Sequence, residues 1–291
     1  MTIAPKIKFD AVDQLPPQER DEIVDLLQAR YGDDKPGLPP YWNDTLAGIL
    51  AHRSVRGYLP TPLPQGALEL IVAAAQSAAT SSNLQAWSVV AVKDKDRKSR
   101  LAALAGNQKH IEQTPLFLVF LADLSRLDRI AQDRGLRSEA HEYLESLLVA
   151  VIDAALAAQN AVVAAESLGL GSVYIGAIRN KPVEIAAELG LPPNVLAVFG
   201  LCLGYPDESA ASGVKPRLPQ SLVLHKERYN SESPAQALEA YDREIRKFQK
   251  AQGIAETDWT QQALDRVKSA GSLKGRDRLS EALRKLGFGL R

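Results

Sequence analysis

Leu147 to Leu168 is the longest apolar stretch of the chain, and its polar interruptions limit what it can be. Asp153, Gln159, Asn160 and Glu166 fall inside it. Several such side chains at mid-bilayer depth would be costly, so the stretch does not read as a membrane span. It predicts a helix covered on most sides, in a protein core or at a subunit interface. The 291 residues make one large domain or two modest ones, ample for such a core.

Charge narrows the partners. Lysine plus arginine and aspartate plus glutamate number 35 each. A balanced chain offers no global attraction for nucleic acid or an acidic membrane, and neither is expected as a partner. Any anion site has to be a local basic cluster. Cys202 is the only cysteine, which excludes intramolecular disulfides and cysteine-rich metal sites. A cytoplasmic home fits. Met1 to Gln14 carries Lys6, Lys8, Asp10 and Asp13 with no apolar core, so it does not read as a signal peptide.

Residues 1–42 read as an N-terminal extension of unknown role. Pro16-Pro17 can start a helix with Ile23, Val24, Leu26 and Leu27 on its apolar side, and Gly32 to Pro40 is turn-rich. Pro64 is expected in the first turn of a helix over Gln65 to Ala78. Trp87 to Val92, Leu116 to Ala122, Ser172 to Ile175 and Val195 to Leu203 read as buried strands. Helices are expected near Asp94 to Ala105, Glu142 to Leu168 and Pro182 to Leu189, with a charged helical tail. Few strands, long helices and no strict alternation point to an α+β sandwich.

Four segments could carry chemistry. His52-Arg53-Ser54-Val55-Arg56 packs two arginines, a histidine and a serine into five residues. Arginine forks match phosphate oxygens, though a solvated charged patch is the plain alternative. Lys215-Pro216-Arg217 aims two cations from a stiffened loop, or is solvated surface. Gly169-Leu170-Gly171 fails the dinucleotide spacing and lies between a helix and a strand in the wrong order, so both glycines read as a helix cap leading into a strand. Gly176 and Ala177 beyond it are small enough for a flat ligand to approach the backbone. Thr80-Ser81-Ser82-Asn83 reads as a capped helix end or a hydrogen-bonding rim. The histidines lack metal-ligand spacing, no metal site is expected, and Cys202 reads as a buried, inert thiol.

Together these segments resemble the nitroreductase family, within it the group of the major oxygen-insensitive nitroreductase and the NADPH-flavin oxidoreductases. The likeness adds Gly106 to His110, Ala158-Gln159-Asn160, Ala165 to Gly176, Phe199 to Gly204 and Leu283 to Gly287, and covers about residues 43–291. It implies an α+β fold with a central mixed sheet flanked by helices, in an intertwined homodimer. It implies FMN as cofactor and NADH or NADPH as electron donor. His52, Arg53, Ser54 and Arg56 then fall around the FMN phosphate and ring, Thr80 and Ser81 on the polar rim, and Gln108 against the ring. Tyr174, Ile175, Gly176 and Ala177 supply the backbone beside the flavin, and Lys215 and Arg217 complete the cations. Glu145 and Arg276 fall on the substrate side. No catalytic side chain is required, because the cofactor carries the redox chemistry.

The implied activity is two-electron, ping-pong reduction of nitroaromatics, quinones or flavins by NAD(P)H. The alternatives are a flavin-binding or flavin-delivery protein with little turnover, and a family member specialised for another acceptor. The sequence departs from the family pattern in three places. Residues 1–42 have no counterpart, Ala177 stands where a glycine is common, and Lys250 to Thr257 lacks the arginines associated with the NADPH 2′-phosphate.

Overall fold

The computed structural model describes residues 10–210, 212–232 and 235–291. The reading of Met1 to Gln14 therefore lies mostly outside the described residues. The strands in chain order are β1 (Asp10–Ala11), β2 (Tyr41–Trp42), β3 (Trp87–Val92), β4 (Leu116–Asp123), β5 (Gly171–Ile175) and β6 (Val195–Gly204). The α-helices are α1 (Pro17–Tyr31), α2 (Asp44–Ala51), α3 (Ala67–Gln76), α4 (Lys95–Leu104), α5 (Lys109–Gln113), α6 (Ser125–Asp133), α7 (Leu144–Ser167), α8 (Pro182–Leu189), α9 (Ala235–Ala251), α10 (Trp259–Val267) and α11 (Leu279–Lys285). Two units are distinguished: residues 1–53 with 211–266, and residues 54–210 with 267–291.

In the first unit, Pro17 takes the first helical position of α1, where its missing N–H costs nothing. The helix lays Ile23 and Leu27 against Val12, with Leu15, Tyr31, Trp42 and Leu50 around them. β1 and β2 pair antiparallel beside this small core. In α9, Tyr241 and Ile245 are buried, and the Asp242 carboxylate accepts from the backbone N–H and the hydroxyl of Thr260.

In the second unit the strand order is β3-β4-β6-β5. All eight residues of β4 are buried, as a continuous apolar run at the centre of a sheet requires. Phe117, Val119 and Leu121 face one core with Ile111, Ile178 and Ile185; Leu116, Leu118 and Phe120 face another with Ile71 and the alanines of α7. The three ladders are antiparallel, and the parallel component of the sheet is the bridge between Ser54 and Ser172. The register between β4 and β6 shifts at Phe120/Leu121. Phe120 pairs with Phe199 and Leu121 with Ala197, leaving Val198 as the extra residue of a bulge.

α7 meets the sheet through Ala150, Ala154, Ala157, Ala158, Ala161 and Ala165, small side chains that allow close approach. By length and composition it could cross a bilayer, yet its buried face carries Asp153 and packs on the strands. Its other side exposes Leu144, Leu148, Ile152 and Leu156 at four-residue spacing, one continuous apolar stripe.

Two local expectations change. Pro64 precedes the helix it was assigned to. Its carbonyl accepts from Ala67 N–H across a turn in which Gly66 takes a left-handed conformation, so α3 starts at Ala67. Only Gly169 of the glycine pair belongs to the end of α7. Its φ is +75°, its N–H reaches Glu166 and the Leu170 N–H reaches Ala165, which closes the helix. Gly171 lies in β5, where a Cβ would fall 2.6 Å from the Val55 side chain. Its replacement by alanine should lower stability by about 1–3 kcal/mol through overpacking. Urea denaturation of Gly171→Ala measures this, and a change within ±0.5 kcal/mol of wild type would contradict the close contact.

Candidate functional site

In the first unit the two basic segments meet a common partner. Asn43 caps α2 by accepting from Leu46 N–H at 2.9 Å, and the helix ends at Ala51, so that His52 emerges in extended backbone. Arg30, on the last turn of α1, is only 6% exposed. Its guanidinium donates to the carbonyls of Leu50 at 2.7 Å, His52 at 2.8 Å and Lys215 at 2.8 Å. The Arg30 carbonyl in turn accepts from Arg217 N–H at 2.8 Å. Tyr241 holds the same loop by donating to the Pro216 carbonyl at 3.0 Å. His52 and Arg53 are half-buried, whereas Lys215 and Arg217 are exposed. The Lys215 ammonium stands 5.9 Å from the Phe248 ring centre, within cation–π range.

In the second unit Val55 N–H donates to the Ser172 carbonyl at 2.9 Å, setting Ser54 to Arg56 beside β5. Val55 is buried while Ser54 and Arg56 are exposed on either side of it, the alternation an extended segment imposes. Gly106 and Asn107, both at positive φ, turn the chain so that Gln108 heads α5. His110 follows in that helix. Burial first, and the charge of Arg56 second, push its pKa down. Tyr174 on β5 packs edge-on to Phe199, and burial raises its hydroxyl pKa.

Gly176 opens a short 3₁₀ turn over Gly176–Asn180 that contains Ala177. A methyl group at Gly176 would lie 3.6 Å from Nη2 of Arg179 and 4.0 Å from Nη1 of Arg276. Arg179 is anchored by donating to the carbonyl of Val198, the bulged residue of β6. Arg276 is braced through Nε on the Leu273 carbonyl at 3.0 Å. The structure therefore brings Arg276 beside Gly176. Glu145 stands exposed in the first turn of α7.

Thr80 and Ser81 do not cap α3, which ends at Gln76 with Ser77 after it. They wrap around Asp153, 1% exposed on α7. Its carboxylate accepts from the Thr80 hydroxyl at 2.6 Å, Ala86 N–H at 3.1 Å and Ser81 N–H at 3.2 Å. The Thr80 oxygen also accepts from Gln85 N–H at 2.9 Å. Within this loop Ser82, Asn83 and Gln85 take positive φ.

These groups fit a flavin mononucleotide. A phosphomonoester calls for cations with N–H donors, and Arg53, Lys215 and Arg217 carry that chemistry within the first unit. The side of Gly176 that lacks a Cβ faces two guanidinium groups, and cations of that kind suit a heterocycle that gains negative charge on reduction. Sequence reasoning did not single out Arg30, Arg179 or Asp153 as site residues. Asp153 left a trace, an acid on an apolar helix, which must find buried donors. Removing it should unfasten the rim. Asp153→Ala leaves the buried Ala86 N–H without its acceptor and should cost about 3 kcal/mol. Chemical denaturation, with amide exchange over residues 80–86, measures this; native stability with unchanged protection would contradict the role.

Comparison with known proteins identifies the family. The nitroreductase family model matches residues 49–205, and the model of the family's C-terminal domain matches residues 215–291. The FMN reductase (NADPH) of Bacillus subtilis is 39% identical over 251 residues, covering 84% of this chain and 98% of that protein. The oxygen-insensitive NADPH nitroreductase of Salmonella typhimurium is 40% identical over 209 residues, 72% of this chain and 84% of its own length. The solved structure of the hypothetical oxidoreductase YcnD from Bacillus subtilis superposes with a TM-score of 0.81 at 36% identity, covering 86% of this chain and all of that one. With both family models matched and relatives of this similarity, the chain belongs to the nitroreductase family and is an NAD(P)H-dependent flavin oxidoreductase using FMN.

Proposed function

We propose that the chain catalyses two-electron reduction of nitroaromatics, quinones or free flavins by a ping-pong cycle, in which the oxidised nicotinamide leaves before the acceptor is reduced. The observation that carries this reading is the tie Arg30 makes between the carbonyls of His52 and Lys215, which joins two basic segments far apart in sequence. FMN held by these residues would supply the redox chemistry between the nicotinamide and the acceptor. In the first unit His52, Arg53, Lys215 and Arg217 hold the phosphate. In the second, Ser54 and Arg56 contribute donors, Gln108 contacts the ring, and Tyr174, Ile175, Gly176 and Ala177 line it with backbone. Thr80 and Ser81 form the rim, and Glu145 and Arg276 face the substrate. No side chain is given a proton-transfer role.

The same reading takes residues 43–291 as the FMN-binding domain, with residues 1–42 added before it. It also places the protein in the cytoplasm, supported by a lone, buried thiol whose pKa burial pushes up. Neither nucleic acid nor membrane is a partner.

The nicotinamide preference follows from α9. Arg246, which could replace the missing arginines, is paired with Asp258. Lys247 is held by Glu244 at 2.6 Å and Asp33 at 3.2 Å. These pairs compete with an adenosine 2′-phosphate, so the preference for NADPH should be weakened, with NADH accepted comparably or better. A yellow protein that NAD(P)H bleaches without oxygen, followed by steady-state kinetics with both donors against nitrofurazone, a quinone and FMN, tests the whole reading. Yellow protein that resists bleaching would make it a flavin-delivery protein instead. A preference for NADPH above about a hundredfold in kcat/KM would contradict the donor argument.

A homodimer is part of the proposal. The stripe Leu144, Leu148, Ile152 and Leu156 is 43–55% exposed, which suits a face covered by a second copy. Light scattering should give about twice the 31.6 kDa chain mass, and Ile152→Glu should shift it toward the monomer. A wild-type monomer that retains FMN at micromolar concentration would overturn this part.

A further inference from the structure

We infer that Arg30 is a positioning residue for the cofactor phosphate, contributed by a segment that neither family model reaches. The inference rests on the reading that Arg53, Lys215 and Arg217 hold the phosphate, and it assigns a role to the chain before residue 49. Arg30 closes α1, itself seated by Ile23 and Leu27 in the core shared with Trp42 and Leu50. Its guanidinium spans three carbonyls, two in the Leu50–His52 stretch and one at Lys215. A fork with fixed N–H directions holds such acceptors in register more firmly than an ammonium, whose donors rotate on a flexible stem. The backbone bond from Arg217 N–H to the Arg30 carbonyl adds a second fastening, so the C-terminal end of α1 and the Lys215–Arg217 loop are tied at two points.

Two consequences follow. His52 and Lys215 are exit points for chain that carries Arg53 and Arg217 one and two residues further on, so fixing those carbonyls restricts where the cations can point. Ordering them before the ligand arrives removes part of the entropy cost of binding. Arg30 also places a positive charge in a buried position, where solvent screens it less than it screens the exposed Lys215 and Arg217. Both effects favour a dianionic phosphate over a neutral isoalloxazine ring.

That difference supplies the test. The full-length chain and its Arg30→Ala, Arg30→Lys and Arg217→Ala variants are stripped of flavin and titrated with FMN and with riboflavin, which lacks the phosphate. Circular dichroism checks the fold of each. Arg30→Ala should weaken FMN by about tenfold or more, the equivalent of one charge-assisted hydrogen bond, and leave riboflavin unchanged. Arg30→Lys should fall between it and wild type, and it carries the same comparison should Arg30→Ala not fold. Arg217→Ala should lose FMN affinity selectively as well. Selective loss in Arg217→Ala with wild-type affinity in both folded Arg30 variants overturns the inference and spares the phosphate reading. Unchanged FMN affinity in Arg217→Ala, or equal losses for FMN and riboflavin in every variant, overturns that reading and the inference with it.

Discussion

A charge withdrawn from water must be met by polar groups, and that single constraint shapes both units of this chain. Asp153 lies on the face of α7 that packs on the sheet, among alanines. An unpaired carboxylate there would be intolerable, so the loop from Thr80 to Ala86 folds over it and delivers one hydroxyl and two N–H groups. The loop accepts an unfavourable backbone to do so, with Ser82, Asn83 and Gln85 all at positive φ. Arg30 answers the same constraint with the opposite charge. Its donors are met by carbonyls that helix ends and loops leave available. In each unit a buried ion thus fixes the irregular backbone on which the candidate cofactor residues sit.

The sheet transmits a second constraint. β4 is buried along its full length and apolar from Leu116 to Ala122, because both of its faces are covered. β6 pairs with all eight residues of β4, from Val195 to Leu203, and it does so with one residue too many. The surplus residue, Val198, turns its carbonyl to Arg179, and Arg179 reaches the open side of Gly176. A bulge in the core thereby sets the position of a cation beside Gly176, the residue we propose as part of the flavin's backbone wall. Burial lowers the pKa of that guanidinium without discharging it, since arginine starts so far above neutrality.

Much of this was legible from the amino-acid order. The strands β3 and β4 and the helices α7 and α8 stood out because an unbroken apolar run or a regular period announces itself locally. The likeness between residues 43 and 291 and the nitroreductase family was legible because many ordered motifs occur together. What escaped was contact at a distance. Arg30 is 185 residues from Lys215, and no local pattern separates it from the other charged residues of α1. Gly171 looked like a cap because it follows a helix, whereas its reason is the Val55 side chain more than a hundred residues earlier. Thr80 looked like a helix stop because hydroxyls often are, and its partner proved to be an acid 73 residues away. Local chemistry predicted local structure; side chains that bridge remote segments needed coordinates.

The residues ahead of the family match also alter the charge balance of the first unit, and the two changes are unequal. Arg30 adds a buried cation among the carbonyls of the basic segments, where screening is weak. Asp33, two residues after the end of α1, pairs with Lys247 in the open, with side chains 80% and 60% exposed. An exposed pair of that kind is loose and falls further with salt, so Asp33 adds little to the competition for Lys247 that Glu244, at 2.6 Å, already sets up. On the reading proposed above, the added segment therefore strengthens the hold on a cofactor phosphate more than it weakens the hold on an adenosine 2′-phosphate. The asymmetry follows from burial alone. The same unit of charge counts for more where water is excluded than where water competes, so a short helix can tighten one phosphate site while leaving a second one almost as it was.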